Sequence, residues 1–239
     1  MSSLEASVCV LAGDFCRIAA FGAEAEREAR ELGNRTVLAQ LQSALAWAAL
    51  VAGDGEAMRR YTHAALAEWR APRLSPIYGI AVWGECNRLL YQGDAQAAHA
   101  LMRAEAPRFV RSGLARTQMW STSLSLLWGS VELANAREPN DRHVRAAEKF
   151  AARLERHDLP VAQTCAVLLR AGLAMRAGQT TLAEQAYQRA KRGFASLGMR
   201  GYAAVAAHRA AQLGPGPADE PMLRWFTDQF ARATMVRRL

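Results

Sequence analysis

Histidine, cysteine and tryptophan are the residues of this chain with the widest chemical range, and their spacing decides what each can do. His63, His99, His143, His157 and His208 are isolated from one another in sequence, and none belongs to an HExxH pair. His157-Asp158 could form an imidazole–carboxylate pair, but Asp158, standing before Leu159 and Pro160, reads more simply as the cap of the helix that follows. The sequence holds no GxxxxGK phosphate loop, no GxSxG elbow and no kinase HRD or DFG set. No catalytic residue, metal site or cofactor is therefore expected, and the chain reads as a non-enzyme. Cys9, Cys16, Cys86 and Cys165 lie too far apart for a CxxC metal pair. Cys9 and Cys16, seven apart, are expected to share one helix face as small core residues. With no secretory leader ahead of them, a reducing cytoplasm is the expected compartment.

Binding chemistry is better represented. Trp83, Asn87 and Tyr91 recur at i, i+4 and i+8 and combine aromatic and amide groups, so they could form a polar-rimmed ledge for a peptide. Trp47 and Trp128, flanked by small and apolar residues, read as core fillers. Arg224, Arg232, Arg237 and Arg238 surround a terminal helix and offer a basic patch to an acidic partner, the alternative being a solvated basic end. The net charge is +8, and it is unevenly spread. Residues 1–100 hold 9 basic and 11 acidic side chains (9 − 11 = −2), whereas residues 101–239 hold 21 and 11 (+10). Only Lys149 and Lys191 of the 30 basic residues are lysine, and no continuous basic helix or reading motif accompanies the charge, which disfavours specific nucleic-acid binding. The longest uncharged stretch, Thr36 to Gly53, contains Gln40, Gln42 and Ser43 and suits a buried helix better than a membrane span.

The elements that position these residues are announced by repetition. Gly-Asp recurs at Gly13-Asp14, Gly53-Asp54 and Gly93-Asp94, two successive intervals of 40 residues. Glycine ends one helix where a positive φ is cheap, and aspartate caps the next. Further stops at Leu32-Gly33, Ser112-Gly113 and Leu197-Gly198 interleave with these. The pattern predicts helices over about 4–12, 14–32, 34–52, 54–70, 76–92, 94–112, 115–137, 141–157, 160–177, 180–197, 199–213 and 219–237. Thr181 and Glu184 have capping-box spacing. Pro107 is expected to kink or shorten the sixth helix. Second helices carry a small–large–small stripe: Ala57, Tyr61, Ala64; Ala97, Leu101, Ala104; Ala183, Tyr187, Ala190; and an incomplete copy at Ala146, Phe150, Arg153. The fold expected is all-α, a right-handed α-solenoid of antiparallel helix pairs over residues 1–213. A linker, LGPGPADEP, and a capping helix complete it over 214–239, with Met222, Trp225, Phe226 and Phe230 covering the end of the core.

The stripe, best kept at Ala183, Tyr187 and Ala190 behind Gly178, resembles the tetratricopeptide repeat, although the period is nearer 40 than 34 and the first-helix Trp, Leu, Gly and Tyr pattern is poorly kept. Gly198, Met199, Tyr202, Ala203, Ala204 and Arg209 are similar to the helical-repeat tails of large bacterial signalling proteins, where such arrays follow a serine/threonine kinase or a signal-transducing ATPase domain. The resemblance implies a non-catalytic interaction scaffold that binds a protein, a peptide or another domain of a larger parent, with no membrane partner. The alternative it leaves open is a regulatory domain sensing a small ligand or nucleic acid for a linked kinase or ATPase.

Overall fold

The computed structural model describes residues 3–68 and 76–214, and among these there are helices and no strand. The chain divides into two compact units between Gln92 and Gly93. The first holds α1 (Ser3–Ala12), α2 (Phe15–Glu31), α3 (Arg35–Val51), α4 (Gly55–Glu68) and α5 (Pro76–Tyr91). The second holds α6 (Ala95–Arg111), a 3₁₀ turn (Leu114–Arg116), α7 (Gln118–Asn135), α8 (Arg142–Glu155), α9 (Pro160–Arg176), α10 (Thr180–Ser196) and α11 (Arg200–Ala211). Within each unit, helices pack chiefly on their neighbours in sequence. The twelfth expected helix, with Arg224, Arg232, Arg237 and Arg238, lies outside the described residues.

The junctions follow from local chemistry. Gly13, Gly53 and Gly93 have φ of 79°, 69° and 80°. After each, an aspartate accepts a backbone N–H of the next helix: Asp14 from Arg17 at 3.2 Å, Asp54 from Ala57 at 2.8 Å and Asp94 from Ala97 at 2.9 Å. At Gly53 the two bonds of a Schellman stop are present, Asp54 N–H to Ala49 O and Gly53 N–H to Leu50 O, both 2.9 Å. Asn34 does the work of aspartate after Gly33, accepting from Val37 N–H at 3.2 Å. After Gly178 and Gly198 the stop survives, but Gln179 and Met199 make no side-chain cap bond.

Four local expectations are corrected. Helix α10 begins at Thr180 behind Gln179, so Thr181 lies inside the helix and the capping box does not form. Helix α9 begins at Pro160 with Leu159 as its cap; the ring's fixed φ and missing N–H suit the first helical position, and Asp158 lies outside it. The Gly13 turn separates Cys9 on α1 from Cys16 on α2, so they share no helix face. Pro107 sits within α6 without shortening it: the helix runs on to Arg111, with the proline at an exposed position where water can serve the freed Arg103 carbonyl.

Burial sorts the stripes. In α10, Ala183, Tyr187 and Ala190 are all buried, as the stripe predicts. In α6 the buried residues are Ala98, Met102 and Phe109 while Ala104 is exposed, and in α8 they are Val144, Ala147, Ala151 and Leu154 while Arg153 is exposed. There the core face is turned by one residue, about 100° around the helix. Phe194, Leu154, Leu169 and Val131 anchor the second unit, and Ile18, Leu41 and Met58 the first. The uncharged stretch from Thr36 lies in a buried helix, α3, which ends at Val51 ahead of the Gly53 stop, and no described helix is long and apolar enough to cross a membrane. Gly129 lets α7 approach α9, since a Cβ there would collide with Leu169.

Candidate functional site

Helix α7 buries Ser121, Thr122 and Ser125 among its apolar residues, and Glu132 is its one buried charge. The Glu132 side chain is 8% exposed, and a carboxylate at that depth needs partners. They come from the helices on either side in sequence. His143, in the first turn of α8, places Nδ1 2.5 Å from Glu132 Oε2, and His99, on α6, places Nε2 3.5 Å from Oε1. Each carboxylate oxygen thus faces its own imidazole. The two rings are edge to face with centroids 5.3 Å apart, and one ligand-capable atom from each of His99, Glu132 and His143 lies within 4.8 Å of the others.

The surrounding chain fixes this arrangement. Asp141 caps α8 by accepting the His143 N–H at 3.0 Å and also accepts the Arg137 N–H at 3.1 Å, which locks the first turn. Those two backbone donors, His143 first, hold the Asp141 carboxyl below its ordinary range. Asn135, at the end of α7, donates to the Ala95 carbonyl at 2.8 Å and ties α7 to the start of α6, one turn before His99. Trp128, one turn before Glu132, meets His99 edge-on at 6.0 Å and stacks on Phe150 at 5.9 Å, walling one side with apolar rings. On the outer side, Arg142 Nε lies 3.4 Å from His143 Nε2.

Two imidazoles and a carboxylate form a donor set that can hold a proton between them or a divalent cation among them. No protein-family model, curated protein or solved structure matches the chain. Its chemistry is therefore read from these side chains.

The residues singled out in the sequence are placed differently. Trp83, Asn87 and Tyr91 do lie on one helix, α5. Trp83 is half-buried against Trp47, edge to face at 5.4 Å, and Asn87 turns its amide inward to the Trp83 carbonyl at 2.8 Å. Tyr91 is 61% exposed and is the most exposed of the trio. Trp47 and Trp128 are half-buried within their units, and Trp120 packs on Phe109. Cys9, Cys86 and Cys165 are buried; burial pushes the Cys86 and Cys165 thiols up to about 12, so they stay protonated and unreactive at neutral pH. Trp128 and Phe150 also line a pocket of ≈ 90 Å³ with Phe109, Leu124 and Arg153, well below the roughly 300 Å³ at which small-molecule sites begin.

His99 and His143 stand isolated in the sequence, and no motif there singles out Glu132. One signal was present: Glu132 is the sole charged residue between Arg116 and Arg137. An acid alone in a long apolar helix needs an explanation, because a buried carboxylate is costly unless matched.

Proposed function

We propose that this chain is a non-catalytic protein-interaction scaffold of tetratricopeptide-like helix pairs with a period near 40 residues, the pairs of each unit stacking as turns of a right-handed solenoid. The observation that carries the reading is the recurrence of one junction, glycine with positive φ followed by a capping aspartate, at Gly13-Asp14, Gly53-Asp54 and Gly93-Asp94. At Gly13 and Gly53 the junction joins helices that pack on each other, α1 with α2 and α3 with α4, and stacked hairpins present a preordered surface that loses little entropy on binding. The partner is a protein or peptide, and a linked kinase or ATPase domain of a larger cytoplasmic signalling polypeptide is the favoured source. Tyr91 is the contact the reading relies on, because an exposed tyrosine brings apolar area and a hydroxyl at low conformational cost.

A purified full chain used as bait tests this. It is expected to retain a protein partner at micromolar concentration, and Tyr91→Ala is expected to weaken retention about tenfold or more without moving the unfolding temperature. No captured partner, or a partner indifferent to Tyr91 and to every other exposed apolar residue, overturns the reading. A second reading, a regulatory domain that responds to a small ligand, is favoured by His99, Glu132 and His143, which bring together unlike donors around one buried carboxylate.

A further inference from the structure

Among the described residues, four enclosed glutamates, Glu26, Glu85, Glu105 and Glu132, take two kinds of partner. Glu26, Glu85 and Glu105 each face an arginine of their own helix, Arg30 at 2.8 Å, Arg88 at 2.6 Å and Arg108 at 3.2 Å. A guanidinium only donates, so such a pair has no lone pair to offer a cation beyond the carboxylate itself. Glu132 is more buried than any of these three, and its oxygens face imidazoles instead. An imidazole nitrogen can donate or accept, and the neutral ring is a ligand.

We propose that His99, Glu132 and His143 bind one divalent late first-row transition-metal ion of the zinc class, with water completing its shell. Ligand atoms around a tetrahedral zinc stand about 3.3 Å apart, given bonds of about 2.0–2.1 Å. The His99 Nε2 to Glu132 Oε1 separation of 3.5 Å already matches that spacing. His143 Nδ1 is 2.5 Å from Oε2, the distance of a hydrogen bond, so coordination replaces the shared proton with the ion and moves the ring back by roughly 1 Å. By way of solvent that proton passes from Nδ1 to Nε2, a change of tautomer that keeps the ring neutral and frees Nδ1 as a ligand. Arg142 lies on an exposed position and turns from Nε2 to water.

Three further features favour the site. The ligands come from three successive helices, α6, α7 and α8, so the ion joins elements that the chain already packs together. Asp141 and Asn135 hold the backbone on both sides of the cluster before any ion arrives, which lowers the ordering cost. The Trp128–Phe150 stack excludes water from one side and strengthens the attraction between ion and carboxylate. Two nitrogens and one oxygen select zinc, cobalt or nickel over magnesium and calcium, which prefer all-oxygen shells. The site stands independently of the scaffold reading, since neither the Gly-Asp junctions nor Tyr91 contributes to it.

The full chain, stripped with a chelator and dialysed, is titrated with zinc chloride against a chromophoric competitor, and separately with cobalt chloride while visible d–d bands are recorded. One zinc per chain is expected, with a Kd in the micromolar range or tighter. Glu132→Gln and His99→Gln are each expected to weaken it at least about tenfold and to abolish the cobalt bands. Zinc should raise the unfolding temperature by roughly 3–8 °C in the unaltered chain, and magnesium should not. If Glu132→Gln does not fold, His99→Gln decides, because His99 stands at the more exposed edge of the cluster. Zinc bound equally well by His99→Gln, or bound in a stoichiometry set by the exposed His63 and His208, overturns the proposal.

Discussion

Helices α3 and α7 are the most heavily buried of their respective units, and each has, among several buried polar side chains, one that takes part in matching a carboxylate. In α3 it is Gln42, whose amide donates to Glu26 at 3.3 Å; Arg30 donates to the same Glu26 oxygen at 2.8 Å. In α7 it is Glu132 itself, matched by His99 and His143. The first unit therefore compensates a half-buried acid with a fixed cation and a neutral amide, both donors. The second compensates a more deeply buried acid with groups that carry lone pairs. Polarity alone does not make a site: the Glu26 arrangement is closed to a cation by its donors, while the Glu132 arrangement can exchange a proton for an ion.

The comparison is most exposed to removal of the acids. Glu132→Ala leaves two enclosed imidazoles without an acceptor and opens a hole in α7, and should cost about 3 kcal/mol in urea unfolding. Glu26→Ala, with Arg30 free to turn into water, should cost about 1 kcal/mol or less. Equal losses in the two variants would show that the histidines do not match Glu132 as the geometry implies.

A smaller effect of opposite sign separates matched from unmatched groups. Thr62 in α4 is 1% exposed, and its hydroxyl has no hydrogen-bond partner, in contrast to Glu132. Thr62→Val keeps the shape and removes the unpaired hydroxyl, so it should stabilise the protein by up to about 1 kcal/mol. Destabilisation of that size would mean that the buried hydroxyl is served by water, and that the first unit holds more compensated polarity than its side chains reveal.

What the sequence made legible, and what it hid, follows the same division. Helix ends were readable because their causes are local: Gly53 and Asp54 sit side by side, and the bonds they make reach no further than a few residues, to Ala49, Leu50 and Ala57. Pro107 does not shorten α6, because its effect depends on which side of the helix faces water, a tertiary fact. The stripe misled in α6 and α8 for a related reason, since a helix can turn by one residue and still bury an alanine. His99, Glu132 and His143 are separated by 33 and 11 residues and meet only when three helices pack. Only the solitary charge of Glu132 hinted at them.

The smallest expected effect concerns ion pairs rather than cores, and it extends the contrast between the units to pH. Glu155 on α8 takes a two-pronged bond from Arg170 on α9, at 2.8 and 2.9 Å, and that hydrogen bond holds its carboxyl below the ordinary carboxylate range. Glu56 and Arg59 in the first unit form a similar pair, but both belong to α4 and stand one turn apart. Since the folded Glu155 carboxyl gives up its proton more readily than an unfolded one, the bridge stabilises fully above about pH 4.3 and is lost as pH falls through the lower, folded value. With both side chains near half exposure, water and salt reduce the bridge to no more than about 1 kcal/mol. Glu155→Gln should flatten the acid side of the stability profile below about pH 4.3, and 1 M salt should shrink the difference. Glu56→Gln should alter that profile less, because its bridge ties α4 only to itself. If the two variants behave alike, Glu155–Arg170 does not join α8 to α9 in any energetic sense, and the hold on α8 passes to Asp141 and the Leu154 core.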